Sequence, residues 1–498
     1  MSSIDEIRDT RIKKLKLLEA RGINPYPAES KREISLKEVV LNFDVLEGSK
    51  ENKWIAGRIM SIRGQGAIIF ITLYDGTTNF QGLIKKDILE DEKFNFWNEV
   101  VDIGDFVEVY GTFFKTNRGE KTLEIKDWTM LSKSLRPLPE KWHGLVDTEE
   151  RFRKRYLDIL MNPEIKEIFE KKAKFWNTIR EYLIFKDFLE VETPVIENTT
   201  GGADARPFVT HHNALDIDVY LRISAGELWQ KKLLVGGFPR TFEIGRIFRN
   251  EGISNEHLQD YTQVEYYMAY ADYKKGMEMT KELYRLIAEK VFGTTKFSIR
   301  GFDIDLNTEW EVYDFSKIIE EKFGFNPGTG IYNKTGKVVT EKELEKICKE
   351  VGIEYERTEY NISGTADALW KSIRKEYAGP CFLIGIPVSM EPLAKKNLNN
   401  PNVVERFQVI LAGSEMGKGF SELNDPIDQY ERFIKQQALR DAGDEEAQMA
   451  DMEFVEALEY GMPPAFGFGL SERLFSFLVD KPVRETQLFP LMRPKNLE

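Results

Sequence analysis

The chain has 498 residues, 42% of them hydrophobic and 31% charged, and a formal net charge of -13 at pH 7. This composition is typical of a soluble globular protein with several domains, and it excludes a disordered chain or a general nucleic-acid coat. We find no apolar signal segment, no apolar run that could span a bilayer, and only two cysteines, Cys348 and Cys381. We therefore expect a cytoplasmic protein without a disulfide framework or a cysteine-based zinc site.

Residues 1–50 predict a helical N-terminal extension. On a helical pattern this segment carries the basic residues Arg8, Arg11, Lys13, Lys14, Lys16 and Arg21. Such a charged face is either a solvated helix surface or a helix that contacts phosphates. The sequence leaves both interpretations open.

Residues 51–135 predict a small β-barrel. Short segments rich in β-forming residues are separated by turn signals such as Asp75-Gly76 and Gly104-Asp105. The predicted strands are Trp54–Ile59, Ile68–Tyr74, Phe80–Ile84, Phe106–Phe114 and Thr122–Ile125. Five short strands within about 80 residues favour a closed barrel of the OB-fold type.

Residues 136–149 predict a linker, and residues 150–498 predict a second domain. The predicted long helices of this domain are Glu164–Phe185, Asp272–Phe292 and Gln429–Ala442. Its strands come in hairpin-like pairs, so we expect an α+β domain with an antiparallel sheet. Residues from about 300 to 380 look like an inserted helical region without an assignable role. No Walker or dinucleotide-binding glycine loop is present.

The segment Thr241–Ala269 predicts two strands around a polar loop. Alternate residues of a strand share one face. The two faces of interest carry Glu243, Gly245, Ile247 and Arg249 in the first strand and Tyr261, Gln263, Glu265 and Tyr267 in the second. The loop adds Glu251 and His257. These groups form either a ligand-binding surface or cross-strand ion pairs on a solvated sheet.

Two glycine-rich segments nearer the C-terminus also carry polar groups. Gly413–Glu422 places Glu415 and Glu422 around glycines, which suits Mg²⁺, a cationic amine or an acidic turn. In Phe466–Arg473 a strand leads into a helix whose first turn holds Arg473. Because a helix N-terminus disfavours a cation, Arg473 should have an anionic partner, either a phosphate or a neighbouring acid.

Together these segments resemble the class II lysyl-tRNA synthetases across nearly the whole chain. The matching stretches follow in the order GGADARPFVTHHNALD, VGGFPRTFEIGRIFRNEG, GFSELNDPIDQYERF and LFPLMRP. Thr193-Pro194-Val195 is similar to motif 1 of the class, Arg249-Asn250-Glu251 to motif 2, and Gly467–Arg473 to motif 3. The resemblance implies a class II catalytic domain with an antiparallel sheet, preceded by an OB-fold domain that binds the anticodon.

The resemblance also implies a reaction. The family activates lysine with ATP to form lysyl-adenylate and transfers the lysine to the 3' end of tRNA(Lys). The lysine-binding residues would be Gly202, Glu227, Arg249, Glu265, Tyr267 and Glu422. Glu227 would hold the α-ammonium, and Glu265, Tyr267 and Glu422 would surround the ε-ammonium. Fixed anions at the end of the pocket would reject analogues that lack this charge.

For ATP, the resemblance implies a set of polar and aromatic contacts. The ATP-binding residues would be Arg249, Glu251, His257, Tyr261 and Arg473, of which Arg249 and Arg473 would be catalytic. Arg249 would bridge the lysine carboxylate and the α-phosphate, since a planar guanidinium binds such groups bidentately. Tyr261 would stack on adenine. Mg²⁺ would be coordinated by Glu415, Glu422 and Gln408.

The remaining implied partners involve the barrel and a second subunit. Phe70 and Gln81 are similar in position to family residues that contact the anticodon, and aromatic side chains stack on unpaired RNA bases. Phe70 taken alone fits a barrel-core residue as well. A homodimer is expected through motif 1 around Pro194, and no membrane association is expected.

The sequence departs from the family pattern at several positions. Lys418 stands where the family usually has Asn, and Gln408 stands where a Mg²⁺-binding Glu is usual. A cation at position 418 should repel lysine unless it points away or pairs with an acid. Asp260-Tyr261 replaces a Glu-Phe pair, and the segment 222–227 is one residue longer than usual.

Three other functions compete with lysine–tRNA ligation. A class II synthetase for aspartate or asparagine would present cations to its substrate, and Lys418 is the residue that fits this hypothesis. A paralogue that transfers lysine to a protein typically lacks the barrel predicted over 51–135. A non-catalytic binding protein on the same fold would not require Arg249, Glu251 and Arg473 together.

Overall fold

The computed structural model describes residues 4–139, 145, 147–203, 205–252, 254, 257–355, 362–443 and 447–495. Residues 140–144 of the predicted linker and Asp204 of the first matching stretch lie outside the described residues. The chain forms two compact units, Met1–Met161 and Asn162–Glu498.

The first unit contains seven helices and five strands in its described residues. The helices are α1 (Ile4–Ala20), α2 (Leu36–Leu41), α3 (Phe43–Ser49), α4 (Lys86–Leu89), α5 (Asp91–Val100), α6 (Thr148–Arg153) and α7 (Arg155–Met161). The strands are β1 (Asn52–Gln65), β2 (Ile68–Tyr74), β3 (Asn79–Lys85), β4 (Phe106–Lys115) and β5 (Lys121–Ser132).

These strands close into a barrel in the order β1-β2-β3-β5-β4. β3 and β5 run parallel, and the other neighbouring pairs are antiparallel. Along β2, buried Ile69 and Ile71 alternate with more exposed residues, because successive side chains of a strand point to opposite faces. The predicted barrel is thereby confirmed. Helices α4 and α5 were not predicted; they add Leu89, Phe94 and Trp97 to the barrel core.

Two basic residues of α1 anchor this helix within the first unit. The buried guanidinium of Arg11 donates to the backbone carbonyls of Ile103 and Ser134. The ammonium of Lys14 lies 2.7 Å from a carboxylate oxygen of Asp102. These two side chains therefore have a structural role, which neither interpretation of the basic pattern had included.

The second unit carries the remaining elements. Its helices are α8 (Pro163–Phe185), α9 (Glu227–Val235), α10 (Tyr273–Ile287), α11 (Phe315–Phe323), α12 (Glu341–Glu350), α13 (Ile362–Ile373), α14 (Pro426–Asp441), α15 (Met452–Glu459) and α16 (Arg473–Leu478). Its strands are β6 (Leu189–Glu190), β7 (Ile196–Glu197), β8 (Val209–His212), β9 (Ile217–Leu221), β10 (Arg240–Phe248), β11 (Asp260–Ala269), β12 (Lys296–Ile299), β13 (Phe302–Asp305), β14 (Glu311–Asp314), β15 (Phe325–Asn326), β16 (Ile331–Tyr332), β17 (Lys337–Val338), β18 (Cys381–Ile384), β19 (Arg406–Leu411), β20 (Ser414–Ser421) and β21 (Ala465–Ser471).

An eight-stranded sheet organises the second unit, in the order β14-β18-β19-β20-β21-β11-β10-β6. Only the outermost pairs, β14–β18 and β10–β6, are parallel among the described strands of this sheet. The predicted α+β class with an antiparallel sheet is therefore confirmed. Tyr266 and Phe468 pack on one face against α8 and α10, whereas Tyr267 and Phe420 belong to a second hydrophobic cluster.

The region from about 300 to 380 is more than a helical insertion. It contains α11, α12 and α13, but also a small three-stranded sheet formed by β15, β16 and β17. Its strand β14 pairs with β18 and so belongs to the large sheet. Residues 356–361 of this region lie outside the described residues. In the part of the chain that the structure describes, no helix is long and apolar enough to cross a membrane.

Candidate active site

A cavity of about 350 Å³ lies in the second unit, on the face of the large sheet that carries Tyr267 and Phe420. The predicted residues that line it are Gly202, Glu227, Arg249, Glu251, His257, Tyr261, Glu265, Tyr267, Gln408, Glu415 and Arg473. The structure thus brings together residues from widely separated parts of the chain. Phe70 and Gln81 belong to the barrel of the first unit.

The strand register arranges the floor of this cavity in rows. Directly paired residues of neighbouring strands point their side chains to the same face. One row is Gln408, Lys418, Gly469, Glu265 and Glu243, and the next is Arg406, Phe420, Gly467, Tyr267 and Thr241. Because β21 contributes a glycine to each row, the centre of the floor carries no side chain and leaves room for a ligand.

Glu265 is a buried carboxylate with a full set of hydrogen bonds. The backbone N–H of Ala225 and Nε2 of Gln263 donate to Oε1 over 2.8 and 2.6 Å, and the hydroxyl of Tyr267 donates to Oε2 over 2.9 Å. Burial raises the pKa of Glu265 to about 7, and the nearby charge of Glu227 adds to this effect. A cationic ligand would therefore favour its ionised form.

Lys231, which the sequence analysis did not single out, is a buried cation among these carboxylates. It lies one turn after Glu227 on α9, and its Nζ is 2.7 Å from Oε1 of Glu227 and 2.6 Å from Oε2 of Glu422. Burial by itself lowers the pKa of Lys231, but the charges of Glu227 and Glu422 outweigh burial and raise it. The ammonium of Lys231 thus stabilises two of the carboxylates to which the resemblance assigns binding of the substrate lysine.

Oε2 of Glu422 forms the ion pair with Lys231, whereas Oε1 has no hydrogen-bond partner among the described residues. A side chain at Gly467, which lines the cavity, would overlap this oxygen and the ring of Tyr267. Burial raises the pKa of Glu422 to about 8, an effect that Lys231 opposes and Glu227 increases. An unpaired buried carboxylate oxygen is costly, and a bound cation would relieve that cost.

Gly202 is required by the close packing of its backbone against Glu227. Its φ is +88°, a conformation that residues with side chains rarely adopt. A Cβ at this position would lie 2.7 Å from the Cβ of Glu227 and 2.8 Å from Oγ of Ser224. Any larger residue would therefore displace the carboxylate of Glu227.

Arg249, His257 and Arg473 form a second group, which we call the basic set. The Arg249 guanidinium donates to the carbonyl of Ile223 over 3.3 Å, and its Cζ lies 5.8 Å from the centre of the Tyr261 ring. His257 is exposed, and the other two are partly exposed. Burial is the chief reason why the pKa of Tyr261 is raised. This fits a ring that stacks on a ligand and does not transfer a proton.

The predicted start of a helix at Arg473 is confirmed. β21 ends at Ser471, and α16 begins at Arg473. The side chain of Arg473 faces the cavity, where the positive N-terminus of the helix and the guanidinium together favour an anion.

The three residues predicted to coordinate Mg²⁺ do not form one cluster of free carboxylates. Oε1 of Glu415 accepts from Nε1 of Trp370 and from Arg374, and Oε1 of Gln408 accepts from Arg406 over 2.7 Å. Glu422 is bound to Lys231 as described above. Within the described ranges, no group of three or more His, Cys, Asp or Glu residues is arranged to hold a metal ion. Such a donor set does not fit a metal site made by the protein alone, although Glu415 lines the cavity.

Comparisons with known proteins show the family to which the chain belongs. Residues 147–493 match the family model described as tRNA synthetases class II (D, K and N), and residues 53–131 match the OB-fold nucleic acid binding domain. The chain belongs to the class II tRNA synthetases. A protein of Thermotoga maritima named Lysine--tRNA ligase is 43% identical over 99% of this chain and 97% of its own length. Another of that name from Carboxydothermus hydrogenoformans is 43% identical over 99% of both chains.

For this class II synthetase, the family resemblance found in the sequence is confirmed, together with its OB-fold domain and its assignment as a ligase. The segment predicted to be motif 1 contacts the large sheet. Thr193 of motif 1 donates from its backbone and its hydroxyl to Glu243, which also pairs with Arg222. These contacts link motif 1 to β10, and Arg249 of motif 2 follows directly after the end of this strand at Phe248.

The direction of Lys418 was the open question of the sequence, and the structure of the synthetase answers it. Its Nζ lies 3.2 Å from both carboxylate oxygens of Glu391. The residue pairs with an acid, which was one of the two conditions under which a cation could be tolerated there.

Two charged residues at the site, Lys231 and Glu391, were not predicted from the sequence, for different reasons. Lys231 follows Glu227 by four residues on a helix, a spacing that typically forms ion pairs and was visible in the sequence. Glu391 lies in a loop before β19, and its contact with Lys418 depends entirely on the tertiary structure.

Proposed function

We propose that this synthetase ligates lysine to tRNA(Lys). It would activate lysine with ATP to form lysyl-adenylate and pyrophosphate, and then transfer the lysyl group to the 3' end of the tRNA. The observation that carries the proposal is a group of three buried carboxylates, Glu227, Glu265 and Glu422. They lie beside a cavity that is also lined by the basic set. We call these three residues the carboxylate set.

The carboxylate set would bind the two ammonium groups of lysine. Glu227, held beside Gly202, would bind the α-ammonium, and Glu265, Tyr267 and Glu422 would surround the ε-ammonium. When ionised, these three carboxylates outnumber the buried cation Lys231, which pairs with two of them, and the resulting negative charge suits a cationic substrate. A neutral or acidic amino acid would leave these buried charges without compensation.

The basic set would bind ATP and assist the chemistry. Arg249 would bridge the lysine carboxylate and the α-phosphate, His257 and Arg473 would contact the outer phosphates, Tyr261 would stack on adenine, and Glu251 would accept from its amino group. A lysine carboxylate oxygen would then attack the α-phosphorus in line, and the bond to pyrophosphate would break. Positioning and positive charge supply the acceleration, and no protein nucleophile is needed.

We propose Glu415 as the protein ligand of the Mg²⁺ that accompanies ATP. Magnesium in phosphoryl-transfer sites is usually held by one or two carboxylates together with phosphates and water. Its role would be to neutralise phosphate charge. Glu422 and Gln408 remain predicted ligands; one oxygen of Glu422 is paired with Lys231, and the carboxamide oxygen of Gln408 accepts from Arg406.

We propose that the first domain, residues 51–135, reads the anticodon through Phe70 and Gln81. The side chain of Phe70 is partly exposed and points away from the buried face of β2, which favours stacking on a base over a place in the barrel core. Nε2 of Gln81 donates to the hydroxyl of Thr122 over 2.9 Å, so its carboxamide oxygen can accept from a base edge. Residues 136–149 would link this domain to the catalytic domain, residues 150–498.

We further propose a cytoplasmic homodimer built around motif 1. Large apolar side chains near Pro194 are exposed, namely Ile184, Phe185, Leu189, Val195 and Ile196. An exposed apolar patch of this kind marks a protein interface more often than it remains in contact with water.

The decisive test is ATP–pyrophosphate exchange with each of the proteinogenic amino acids. Exchange with lysine alone would support the proposal, because it reports adenylate formation without tRNA. Exchange with a different amino acid, or with none, would overturn it and direct attention to Lys418 and Gln408.

A further inference from the structure

We infer that Glu391 is a positioning residue for lysine recognition, because it holds the ammonium of Lys418 away from the carboxylate set. This inference rests on the proposed substrate, lysine. It assigns a role to a residue that neither the sequence motifs nor the comparisons single out.

Lys418 and Glu265 lie in the same row across the sheet, two strands apart. In the row across the sheet, Lys418 pairs with Gly469, and Gly469 pairs with Glu265. Neighbouring strands lie about 4.8 Å apart, so two strand spacings separate the backbones of Lys418 and Glu265 by roughly 10 Å. A lysine side chain can cover much of that distance, and Gly469 places no side chain in its way.

Lys418 reaches the cavity. Its side chain is 39% exposed, and it is one of the residues that line the cavity wall. An unrestrained ammonium here would be attracted to the buried carboxylates, which carry more negative charge than Lys231 compensates. It would occupy the place proposed for the ε-ammonium of the substrate and would compete with it.

Glu391 restrains the ammonium of Lys418. Glu391 is almost fully buried and binds two cations, Nζ of Lys418 at 3.2 Å from both oxygens and Nε of Arg406 at 2.9 Å. Burial alone would raise the pKa of Glu391, but the charges of Lys418 and Arg406 outweigh burial and lower it. The carboxylate is therefore ionised and can hold Lys418 throughout the neutral range.

The backbone of Glu391 is itself held in place by Arg432. Its backbone carbonyl accepts from Nη1 of Arg432, which also donates to the carbonyl of Ala394. The guanidinium of Arg432 is in turn paired with Asp428, one turn earlier on α14. A carboxylate on a loop anchored in this way can maintain one position for its partner cation.

The test is a double-mutant cycle on the full-length enzyme, read by lysine-dependent ATP–pyrophosphate exchange. Glu391→Gln keeps the shape of the side chain but releases Lys418. We expect the KM for lysine to rise about tenfold or more, since unfavourable charge contacts at a binding site cost at least that much, while the KM for ATP changes little. The double variant Glu391→Gln/Lys418→Met should return the KM for lysine to within about twofold of wild type.

Two further measurements separate this effect from structural damage. Glu376→Gln removes the same charge from an exposed ion pair with Lys322 and should leave the KM for lysine unchanged. Inhibition by 6-hydroxynorleucine, a lysine analogue without the ε-charge, should weaken less than lysine binding in Glu391→Gln. An unchanged KM in Glu391→Gln, or a double variant as impaired as the single one, would overturn the inference. Failure of the wild-type enzyme to activate lysine would instead contradict the proposed function.

Discussion

Glu227 and Glu265 of the carboxylate set line the same cavity as the basic set, and Glu422 lies next to it beside Gly467, but the two sets are built in opposite ways. Glu227, Glu265 and Glu422 are each at most 5% exposed and are held by defined partners. The basic set is partly or fully exposed, and its members lie just after a strand, in a loop and at the start of a helix. Buried charge gives selectivity because it must be compensated, whereas accessible cations can meet a flexible polyphosphate without a large desolvation cost.

The largest effect is expected for Arg249, the residue proposed to contact both lysine and ATP. Arg249→Ala should lower adenylate formation about 10³-fold, because one preorganised charge that acts on the transition state typically contributes that much. ATP–pyrophosphate exchange measures this effect, and filter binding of tRNA(Lys) should stay near wild type. Adenylation within about tenfold of wild type would show that Arg249 does not act on the reacting atoms.

For the buried carboxylate set, we predict an effect on the stability of the fold. Lys231→Met would leave Glu227 and Glu422 buried without their cation, and breaking such a pair typically costs about 3 kcal/mol or more. Urea unfolding should show this loss, and saturating lysine should restore part of it, since the substrate would supply a replacement ammonium. Lys232→Met, at the next position on α9, provides a matched control. A variant as stable as wild type would mean that the carboxylates are not ionised together.

A change in the barrel should leave both groups intact. Phe70→Ala removes the proposed stacking surface, so the KM for tRNA in aminoacylation should rise about tenfold, as expected for the loss of one base–aromatic stack. Pyrophosphate exchange without tRNA should be unchanged, because no proposed contact to lysine or ATP involves this residue. Equal losses in both assays would point to a folding defect.

The smallest expected effect is on pH dependence. Burial raises the pKa values of Glu265 and Glu422, to about 7 and about 8, and a cationic substrate binds only to their ionised forms. The KM for lysine should therefore fall several-fold as the pH rises from below 7 to above 8. Over this range the side-chain ammonium of lysine, with a pKa of about 10.4, stays protonated.

The KM for ATP provides the comparison within the same measurement. The basic set binds phosphate, so the KM for ATP should not follow the profile expected for lysine. Glu422→Gln should remove the upper part of that profile. A KM for lysine that is constant across this range would contradict the proposed titration.

Local features of the sequence were sufficient for much of the molecule. The alternation in β2, the turn signals between the barrel strands and the glycine-rich approach to Arg473 were each confirmed, because they depend on neighbouring residues. The short helices α4 and α5 were missed, since they lie between two predicted strands and are too short to show a clear periodic pattern.

At the site, sequence patterns predict the residue types but not all of the contacts between them. The sequence by itself determined which residue types are available and, through strand periodicity, that Glu265 and Tyr267 share one face. Only the tertiary structure decided that Glu422 meets Lys231 and that Glu391 meets Lys418. These contacts join residues that are distant in the chain, and charge interactions depend on separation and burial in space, which spacing along the sequence does not determine.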